Sequence, residues 1–313
     1  MTITVPSFAK LNLDLRVLHK RSDNYHELRT IFQTISLKDT LVISAERGRR
    51  TDITIDCSHE IADNLVVRAA RAILDHLKVN ARVDFSLRKQ IPMGAGLGGG
   101  SSNAGAVLVA LPALLNRPIA TADLIGLGAQ LGSDVPFFLL GGTAVALARG
   151  TELYPTPDIP SYHAVVVSTG IHVSTAEAYG ALAHDVPGAL TSVSDSPILR
   201  EFQTIAWSLG GTGLDHLPLT NDFEGPVFKR HPELAAVVRK LCRSGAKLAR
   251  MTGSGAAVFG VFGNGSEAQS AADRFPAGAA TPVRFLSRRR YKALWRKALG
   301  PTAGSSLFCS EGL

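Results

Sequence analysis

A glycine-rich segment at residues 92–104, with the sequence PMGAGLGGGSSNA, constrains this chain more than any other feature. Glycine lets backbone N–H groups approach an anion because no Cβ stands in the way. An apolar pattern with helical spacing follows at Ala104, Val107, Leu108, Leu111, Leu114 and Leu115. Since the positive end of a helix favours negative charge, the segment predicts a phosphate-binding loop in front of a helix. The chain is therefore expected to bind a nucleotide.

The helix after this loop has several candidate boundaries. Ser101, Ser102 and Asn103 are the predicted N-caps, because their short polar side chains suit that position. The apolar pattern predicts one face turned toward a core. Pro112 is expected to kink the helix or to end its first part, since proline removes a helical hydrogen bond.

Two familiar phosphate loops fit the segment poorly. A P-loop requires a lysine directly after its last glycine, and none stands there. Gly94, Gly96 and Gly99 match the Rossmann string, but that fingerprint also requires an acidic residue ending a second strand about 20 residues later. Asp123 has this spacing, yet its setting is the first turn of a predicted helix over residues 121–131. A glycine-rich surface loop without a ligand stays open as the alternative.

Composition indicates a globular protein with room for two domains. The chain has 313 residues, of which 45% are hydrophobic and 19% charged. Because it contains no apolar run of membrane-spanning length and no signal-peptide pattern, we expect a cytoplasmic protein without a membrane partner. The three cysteines and nine histidines show no disulfide or zinc spacing.

The net charge of +7 raises a nucleic-acid hypothesis. Basic residues cluster at 47–50 and again at 288–297. Such runs are typical of solvated faces, and the aromatic pattern of an RNA-binding sheet is missing beside them. We therefore expect no nucleic-acid partner, and the charge favours anionic substrates in general.

Apolar periodicity predicts the order of the elements. Strands are predicted within residues 3–17, 83–87 and 163–168, and a helix over residues 65–77. Residues 137–140 and 143–147, separated by two glycines, are predicted to form a hairpin or strand pair. Residues 248–262 suggest a strand, a tight glycine turn and a second strand. Prolines at 155, 157 and 160 mark the best candidate for a domain boundary.

Three ordered motifs resemble those of the GHMP kinases: residues 7–13 (SFAKLNL), the glycine-rich segment 92–104, and residues 251–259 (MTGSGAAVF). The resemblance implies an α+β protein of two domains. Residues 1–155 would form an ATP-binding domain like the second domain of ribosomal protein S5, and residues 156–290 a ferredoxin-like domain. Residues 291–313 are predicted to be a basic helix with a disordered tail.

Within that superfamily the chain resembles the branch that phosphorylates the 2-hydroxyl of 4-diphosphocytidyl-2-C-methyl-D-erythritol. Four strings carry this resemblance: residues 23–28 (DNYHEL), 63–70 (DNLVVRAA), 132–138 (GSDVPFF) and 220–224 (TNDFE). The implied partners are ATP, Mg²⁺ and a cytidine-linked small molecule, bound by a monomer or homodimer. A GHMP kinase for homoserine or a mevalonate-type substrate stays open, as does a nucleotide- or nucleic-acid-binding protein without catalysis.

The resemblance assigns the nucleotide to the glycine-rich loop. Lys89 resembles a residue beside the nucleotide and Asn64 an adenine-site position; an exposed lysine and a simple helix cap are the alternatives. The implied set is Asn64, Lys89, Pro92, Met93, Gly94, Ala95, Gly96, Leu97, Gly98, Gly99, Gly100, Ser101 and Ser102. The sequence offers no unambiguous carboxylate for Mg²⁺, which leaves the two serines and water as candidate ligands.

Lys10 and Asp134 are the implied catalytic residues. Asp134 stands among apolar residues, where a lone carboxylate costs free energy unless it is paired or used. Lys10 lies in an otherwise apolar strand region and is its expected partner. The residues alone fit a buried ion pair or a helix cap as well, whereas the resemblance implies a general base and an ammonium that polarises the attacking hydroxyl.

Substrate choice is assigned by resemblance to aromatic residues. Tyr25 and Tyr179 would stack on cytosine, and His26 would read the base edge. Weaker assignments to the same cleft are Asn12, Phe32, Thr175 and Asn221. Gly180 stands where some members of the branch have a basic residue, which removes one expected phosphate contact.

Overall fold

The computed structural model describes residues 1–22, 25–185, 197–209, 211 and 213–300. Asp23 and Asn24 of the DNYHEL string and the predicted tail at 301–313 lie outside these residues. Two sheets and their helices make up the described chain. Within that part, no helix combines the length and apolar character needed to cross a membrane.

The first sheet contains six strands among the described residues and is organised around a long central strand. The strands are β1 (Thr2–Lys20), β2 (His26–Arg47), β3 (Asp52–Cys57), β4 (Ala81–Arg88), β5 (Thr143–Leu147) and β6 (Glu152–Pro155). β1 is antiparallel to β2 along one edge, and β4 and β5 pair with different parts of the other edge. β3 runs parallel to β4, and β6 closes against β5.

Four helices belong to this sheet: α1 (Leu65–Leu77), α2 (Gly99–Leu114), α3 (Thr121–Leu131) and α4 (Val135–Leu140). The predicted helices over 65–77 and 121–131 are found with those bounds. The predicted single apolar face of α2 is wrong, because α1, α3, α4 and strands surround this helix and nearly every residue in it is buried. α2 also continues past Pro112 to Leu114.

The prediction of a strand at residues 137–140 is wrong, since these residues belong to α4. A short apolar run does not distinguish a strand from a buried helix. Pro136 lies in the first turn, where its missing N–H costs no helical hydrogen bond, and Gly141 ends the helix with φ of +67°. Only the second half of the expected pair, β5, is a strand.

The second sheet has the strand order β10-β7-β9-β8, with all pairs antiparallel. Its strands are β7 (His163–Val167), β8 (Leu248–Met251), β9 (Val258–Phe262) and β10 (Ala280–Arg284). The helices are α5 (Thr175–Asp185), α6 (Pro197–Ser208), α7 (Glu224–Arg230), α8 (Pro232–Arg243) and α9 (Gly265–Ala272), with a 3₁₀ turn at Leu214–His216. This order, with helices between the first and second and between the third and fourth strands, is ferredoxin-like, and the α+β prediction is confirmed.

The last described helix, α10 (Arg288–Leu299), returns to the first sheet. Tyr291, Trp295 and Leu299 are buried in the same apolar cluster as Val5 and Phe8 of β1. The basic side chains of α10 occupy the opposite side, so this charge run lies mostly at the surface, as predicted. The residue at which the two domains divide stays a prediction.

Candidate active site

A cavity of about 650 Å³ lies between the two sheets and collects side chains from both. It is lined by residues from β1, β2, the glycine-rich loop, the turn before α4, α5 and the loop after β8. Eleven predicted site residues line it: Lys10, Asn12, Tyr25, His26, Phe32, Gly96, Gly98, Ser101, Asp134, Thr175 and Tyr179.

The glycine-rich loop reaches this cavity through left-handed backbone conformations. The φ angles are +64° at Gly94, +75° at Gly96 and +71° at Gly98, a region that other residues rarely adopt. Gly98 is the N-cap of α2, so the predicted N-caps at residues 101–103 are wrong. The left-handed turn at Gly98 leads into the helix without a side-chain cap, and the first N–H groups of α2 have no intrahelical acceptor. An anion at this helix start would find both free donors and a favourable dipole.

Residues of the second domain pack closely against Gly96. A Cβ at this position would lie 2.2 Å from the Thr252 carbonyl oxygen. The Thr252 hydroxyl donates to the Gly96 carbonyl at 3.4 Å, and the Ala257 N–H donates to the Ala95 carbonyl at 3.2 Å. The turn after β8 therefore packs directly on the glycine-rich loop and holds its shape.

Lys10 and Asp134 meet in the cavity, as the sequence predicted. Lys10 Nζ lies 3.3 Å from Asp134 Oδ2, with the lysine side chain 4% and the aspartate side chain 30% exposed. Asp134 stands at the N-cap position of α4, but its side chain makes no capping hydrogen bond. The helix-cap alternative therefore does not account for this carboxylate, which faces the cavity.

Asn12 fixes the position of the Lys10 ammonium through hydrogen bonds. Its Oδ1 accepts a hydrogen bond from Lys10 Nζ at 2.6 Å, and its Nδ2 donates to Thr30 Oγ1 at 2.8 Å. Its backbone N–H donates to Thr252 Oγ1 at 3.0 Å. Phe32, which is 2% exposed, places its ring 5.0 Å from Lys10 Nζ. Asn12 and Phe32 therefore position the Lys10 side chain.

Aromatic rings line another part of the cavity. His26 and Tyr179 are stacked with ring centroids 4.7 Å apart, and Tyr179 meets Phe223 edge-on at 4.9 Å. Burial, and then the charge of Asp134, raise the pKa of Tyr179 to about 12. Tyr25 is 55% exposed at the cavity rim. The predicted aromatic residues are thus together, with His26 against Tyr179.

Two predicted residues, Asn221 and Asn64, are not among those that line the cavity. Asn221 is 4% exposed; its amide donates to the Met251 and Gly253 carbonyls at 2.8 and 2.9 Å, which shapes the turn beside the loop. Asn64 caps α1 by accepting from the Val66 N–H at 3.0 Å. Thr175, by contrast, reaches the cavity and lies 3.2 Å from the Ser254 hydroxyl.

Lys89 is buried rather than exposed. Its ammonium pairs with the fully buried Asp39 and donates to Asn103 Oδ1 at 3.1 Å. Asp39 also accepts from the N–H groups of Gln90 and Ile91 at 2.7 and 2.8 Å. A Cβ at Gly99 would lie 3.2 Å from Lys89 Nζ. Lys89 therefore packs against the start of α2, and its contacts stabilise the fold there.

The structure adds residues that sequence reasoning missed. Arg149 lines the cavity with its guanidinium carbon 4.6 Å from the centre of the Tyr25 ring. Thr252 joins Asn12 to the glycine-rich loop, and Ser133 and Ser254 add hydroxyls to the lining. The motif 251–259 pointed to the turn at Thr252 and Ser254, whereas nothing in the local sequence singled out Arg149.

Metal-ligating side chains do not cluster here. Across the described ranges, no group of three or more His, Cys, Asp or Glu side chains could hold a metal ion. Asp134 is the single carboxylate among the described lining residues. This donor set fits a Mg²⁺ ion that is carried mainly by phosphate oxygens, as Mg²⁺ often is in nucleotide sites.

Two protein-family models match the chain. The GHMP kinases N terminal domain matches residues 64–142, and the GHMP kinases C terminal model matches residues 200–280. The first match contains the glycine-rich loop and Asp134, and the second contains the turn at Thr252. Each matched range thus contributes residues to the lining of the cavity.

Similar proteins cover nearly the whole chain. A 4-diphosphocytidyl-2-C-methyl-D-erythritol kinase of Solibacter usitatus is 48% identical over 302 residues, covering 96% of this chain and 94% of that protein. The protein of the same name from Syntrophus aciditrophicus is 39% identical over 270 residues, covering 86% and 93%. A crystal structure of 4-(cytidine 5'-diphospho)-2C-methyl-D-erythritol kinase matches with a TM-score of 0.75 and 35% identity, over 90% of this chain and 99% of that one. The chain therefore belongs to the GHMP kinases and, within them, to the 4-diphosphocytidyl-2-C-methyl-D-erythritol kinase family.

Proposed function

We propose that this protein transfers the γ-phosphoryl group of ATP to the 2-hydroxyl of 4-diphosphocytidyl-2-C-methyl-D-erythritol, in the non-mevalonate route to isoprenoid precursors. The observation that carries the proposal is the Lys10–Asp134 pair, at 3.3 Å, in a cavity shared by a helix start and by stacked aromatic rings. A cytoplasmic location, where ATP is available, is part of the proposal.

Phosphoryl transfer requires a held triphosphate and a positioned hydroxyl. The N–H groups that open α2 and the Ser101 hydroxyl, which lines the cavity, would hold the phosphates. Asp134 would accept the proton of the attacking hydroxyl, and the Lys10 ammonium would attract the negative charge that develops on that oxygen. Because a loose transition state needs little help from a base, orientation by this pair is a large part of its contribution.

Magnesium is included in the proposal. When bound, it neutralises charge on the phosphates. The Ser101 and Ser102 hydroxyls, together with water, are the candidate protein-side ligands. Ser101 lines the cavity, whereas Ser102 is 2% exposed, so Ser101 is the better placed of the two.

Substrate recognition is assigned to the aromatic part of the cavity. Tyr25 at the rim and Tyr179 inside offer ring faces for a cytosine, and His26 offers two ring nitrogens for its edge. Since His26 is stacked on Tyr179 at 4.7 Å, a base that stacks on this face of Tyr179 would take the place of the imidazole. This proposal therefore includes a rearrangement of His26 on substrate binding.

The test is a phosphoryl-transfer assay with Mg²⁺-ATP and three alcohols: the cytidine-linked substrate, homoserine and mevalonate. We expect turnover of the first alone, and a loss of about 100-fold or more in kcat for Asp134→Ala, which removes the base but leaves the helix start intact. Asp56→Ala, an exposed carboxylate of β3, is the matched control and should keep full activity.

Two results would contradict the proposal. One is a well-folded wild-type protein that turns over homoserine or mevalonate and leaves the cytidine-linked substrate unchanged. The other is an Asp134→Ala variant with wild-type kcat, which would show that Asp134 takes no part in the transfer.

A further inference from the structure

A second cavity, of about 860 Å³, lies away from the candidate active site and shares no lining residue with it. We name it the basic groove. It is formed where β1, β2, the segment after β10, and α10 come together. The lining residues are Thr4, Val5, Pro6, Phe8, Ser36, Lys38, Thr40, Ile159, Ser161, Arg284, Phe285, Leu286, Ser287, Arg290, Leu294, Lys297 and Ala298.

Four cations surround the basic groove: Lys38, Arg284, Arg290 and Lys297. None of their side chains has an ion pair or a side-chain hydrogen bond among the described residues. Asp or Glu is likewise missing from the described part of the lining. The carboxylate next to Ile159, Asp158, accepts from the Arg288 N–H at 2.7 Å. Like charges that converge without a counter-charge favour an anionic ligand.

The floor of the basic groove is apolar. Phe8, Phe285 and Leu286 are at most 8% exposed, and Leu294 of α10 adds a partly buried side chain. Ser36, Ser161 and Ser287 also line the groove, and their hydroxyls bond to backbone: Ser36 and Ser287 accept from the Arg284 and Arg290 N–H groups, and Ser161 donates to the Phe285 carbonyl. A volume of this size is in the range of small-molecule sites, which combine an apolar lining with a few polar groups.

These features select among possible occupants. A second copy of this chain packed groove to groove would bring the same cations together, so charge repulsion disfavours that arrangement. A nucleic acid would offer phosphates, but the groove has the volume of a small-molecule site, and the aromatic pattern of an RNA-binding sheet is missing beside the basic run at 288–297. A small molecule with an apolar chain and a phosphate head matches both the floor and the rim.

We propose that the basic groove is a binding site for a small phosphate-bearing amphiphile, with the phosphate among Lys38, Arg284, Arg290 and Lys297 and the apolar chain on Phe8, Phe285 and Leu294. This ligand is separate from the substrates of the kinase reaction. The site depends on residues of both sheets and of α10, so it exists in the folded, full-length protein.

The probe is octyl phosphate, titrated into the full chain by calorimetry beside inorganic phosphate, ethyl phosphate and 1-octanol. We expect octyl phosphate to bind at least about tenfold more tightly than each of the other three. It alone has both an apolar chain for the floor and a phosphate for the four cations. Its affinity should fall as salt is raised. The double variant Arg290→Gln/Lys297→Gln should lose about tenfold in affinity while keeping kinase activity.

The matched control is Arg289→Gln/Arg239→Gln, which removes the same charge from exposed positions outside the groove. Equal loss in both double variants would overturn the site, because it would show a response to net charge alone. If octyl phosphate bound no more tightly than ethyl phosphate, the apolar floor would contribute nothing to affinity and the proposal would be wrong. Binding to anionic phospholipid vesicles or to a single-stranded oligonucleotide, with no binding of octyl phosphate, would also overturn the proposal.

Discussion

Arg149 stands over the ring of Tyr25 in the wall of the active-site cavity, with 4.6 Å between the guanidinium carbon and the ring centre. No ion pair engages it among the described residues, whereas Lys10 is already held by Asp134 and Asn12. The proposed substrate carries a diphosphate, and Gly180 supplies no cation after the aromatic residue at 179. Guanidinium groups bind phosphate oxygens through paired hydrogen bonds. We therefore expect Arg149 to contact the diphosphate of the proposed substrate.

Arg149→Gln should raise KM for the cytidine-linked substrate by about tenfold, which corresponds to about 1.4 kcal/mol, and leave KM for ATP and kcat close to wild type. Steady-state kinetics with each substrate varied in turn measures this split. Arg117→Gln, an exposed arginine beyond α2, is the control and should change neither KM. A fall in kcat with an unchanged KM would contradict a binding role.

Tyr179 gives a pH-dependent signal from the same cavity. Its pKa rises from 10.0 to about 12, because the phenol is buried and lies near the charge of Asp134. Below about pH 10 the hydroxyl is protonated in both the folded and the unfolded chain; above it the unfolded chain loses the proton first, so stability falls as pH rises. Between about pH 9 and about pH 11, the free energy of unfolding of wild type should fall by about 1 kcal/mol more than that of Tyr179→Phe. Denaturant titrations of both proteins check this, and parallel curves would refute it.

At the scale of elements, the glycine-rich loop and the turn after β8 form one unit. The loop needs glycine where its φ is positive and where the Thr252 carbonyl approaches. Gly100 differs, because it lies inside α2 and a Cβ there would meet Leu65 Cδ1 at 3.5 Å, an ordinary contact. Two glycines four residues apart therefore have different requirements.

Gly96→Ala should abolish kinase activity and lower the free energy of unfolding by more than about 2 kcal/mol, since the new Cβ meets backbone and the conformation is strained. Gly100→Ala should keep the fold and gain stability, because alanine is the better helix residue. Activity and denaturant midpoints of the two variants are compared directly. Equal effects would mean that the close approach at Gly96 is unimportant.

Local patterns predicted some elements well and others poorly. The bounds of α1 followed from a cap at residue 63 or 64 and from apolar spacing, and those of α3 from the acidic residue in its first turn and its apolar residues, because both helices have one face in solvent. α2 and the run at 137–140 are enclosed by other elements, so the helical spacing in α2 did not reveal that its other sides are also buried, and the short run did not distinguish a helix from a strand. Contacts between distant segments, such as Asn12 with Thr252, depend on tertiary packing. The resemblance supplied Lys10 and Asp134 as a pair, but no pattern could supply Arg149.

For the whole molecule, β1 connects the first sheet to the segment at residues 220–222 of the second domain. Leu15 donates its N–H to the Thr220 carbonyl at 2.8 Å and accepts from the Asp222 N–H at 3.0 Å. Beside it, Asp14 accepts from the Thr220 N–H at 3.0 Å and pairs with Arg29 at 3.1 Å, both side chains being fully buried. Burial raises the pKa of Asp14, against the opposing charge of Arg29. One end of the active-site strand is thus anchored in the second domain.

Asp14→Ala should destabilise the protein by about 3–5 kcal/mol, because it removes the buried carboxylate that pairs with the Arg29 guanidinium at 3.1 Å. The double variant Asp14→Leu/Arg29→Met should recover most of this loss, since it removes both charges. Arg68→Ala breaks the exposed pair with Asp63 and should cost at most about 1 kcal/mol. Denaturant unfolding measures all three. An Asp14→Ala variant no less stable than Arg68→Ala would show that the buried pair contributes little.

The position of α10 has a consequence for how the chain folds during synthesis. Tyr291, Trp295 and Leu299 complete the apolar core that β1 begins, although nearly the whole chain separates them from Phe8. Domains usually fold in order as they leave the ribosome. Here the first sheet emerges early but keeps an open apolar surface until α10 is made. During this interval the nascent first domain exposes apolar surface, so it is then most prone to aggregation and to binding by chaperones.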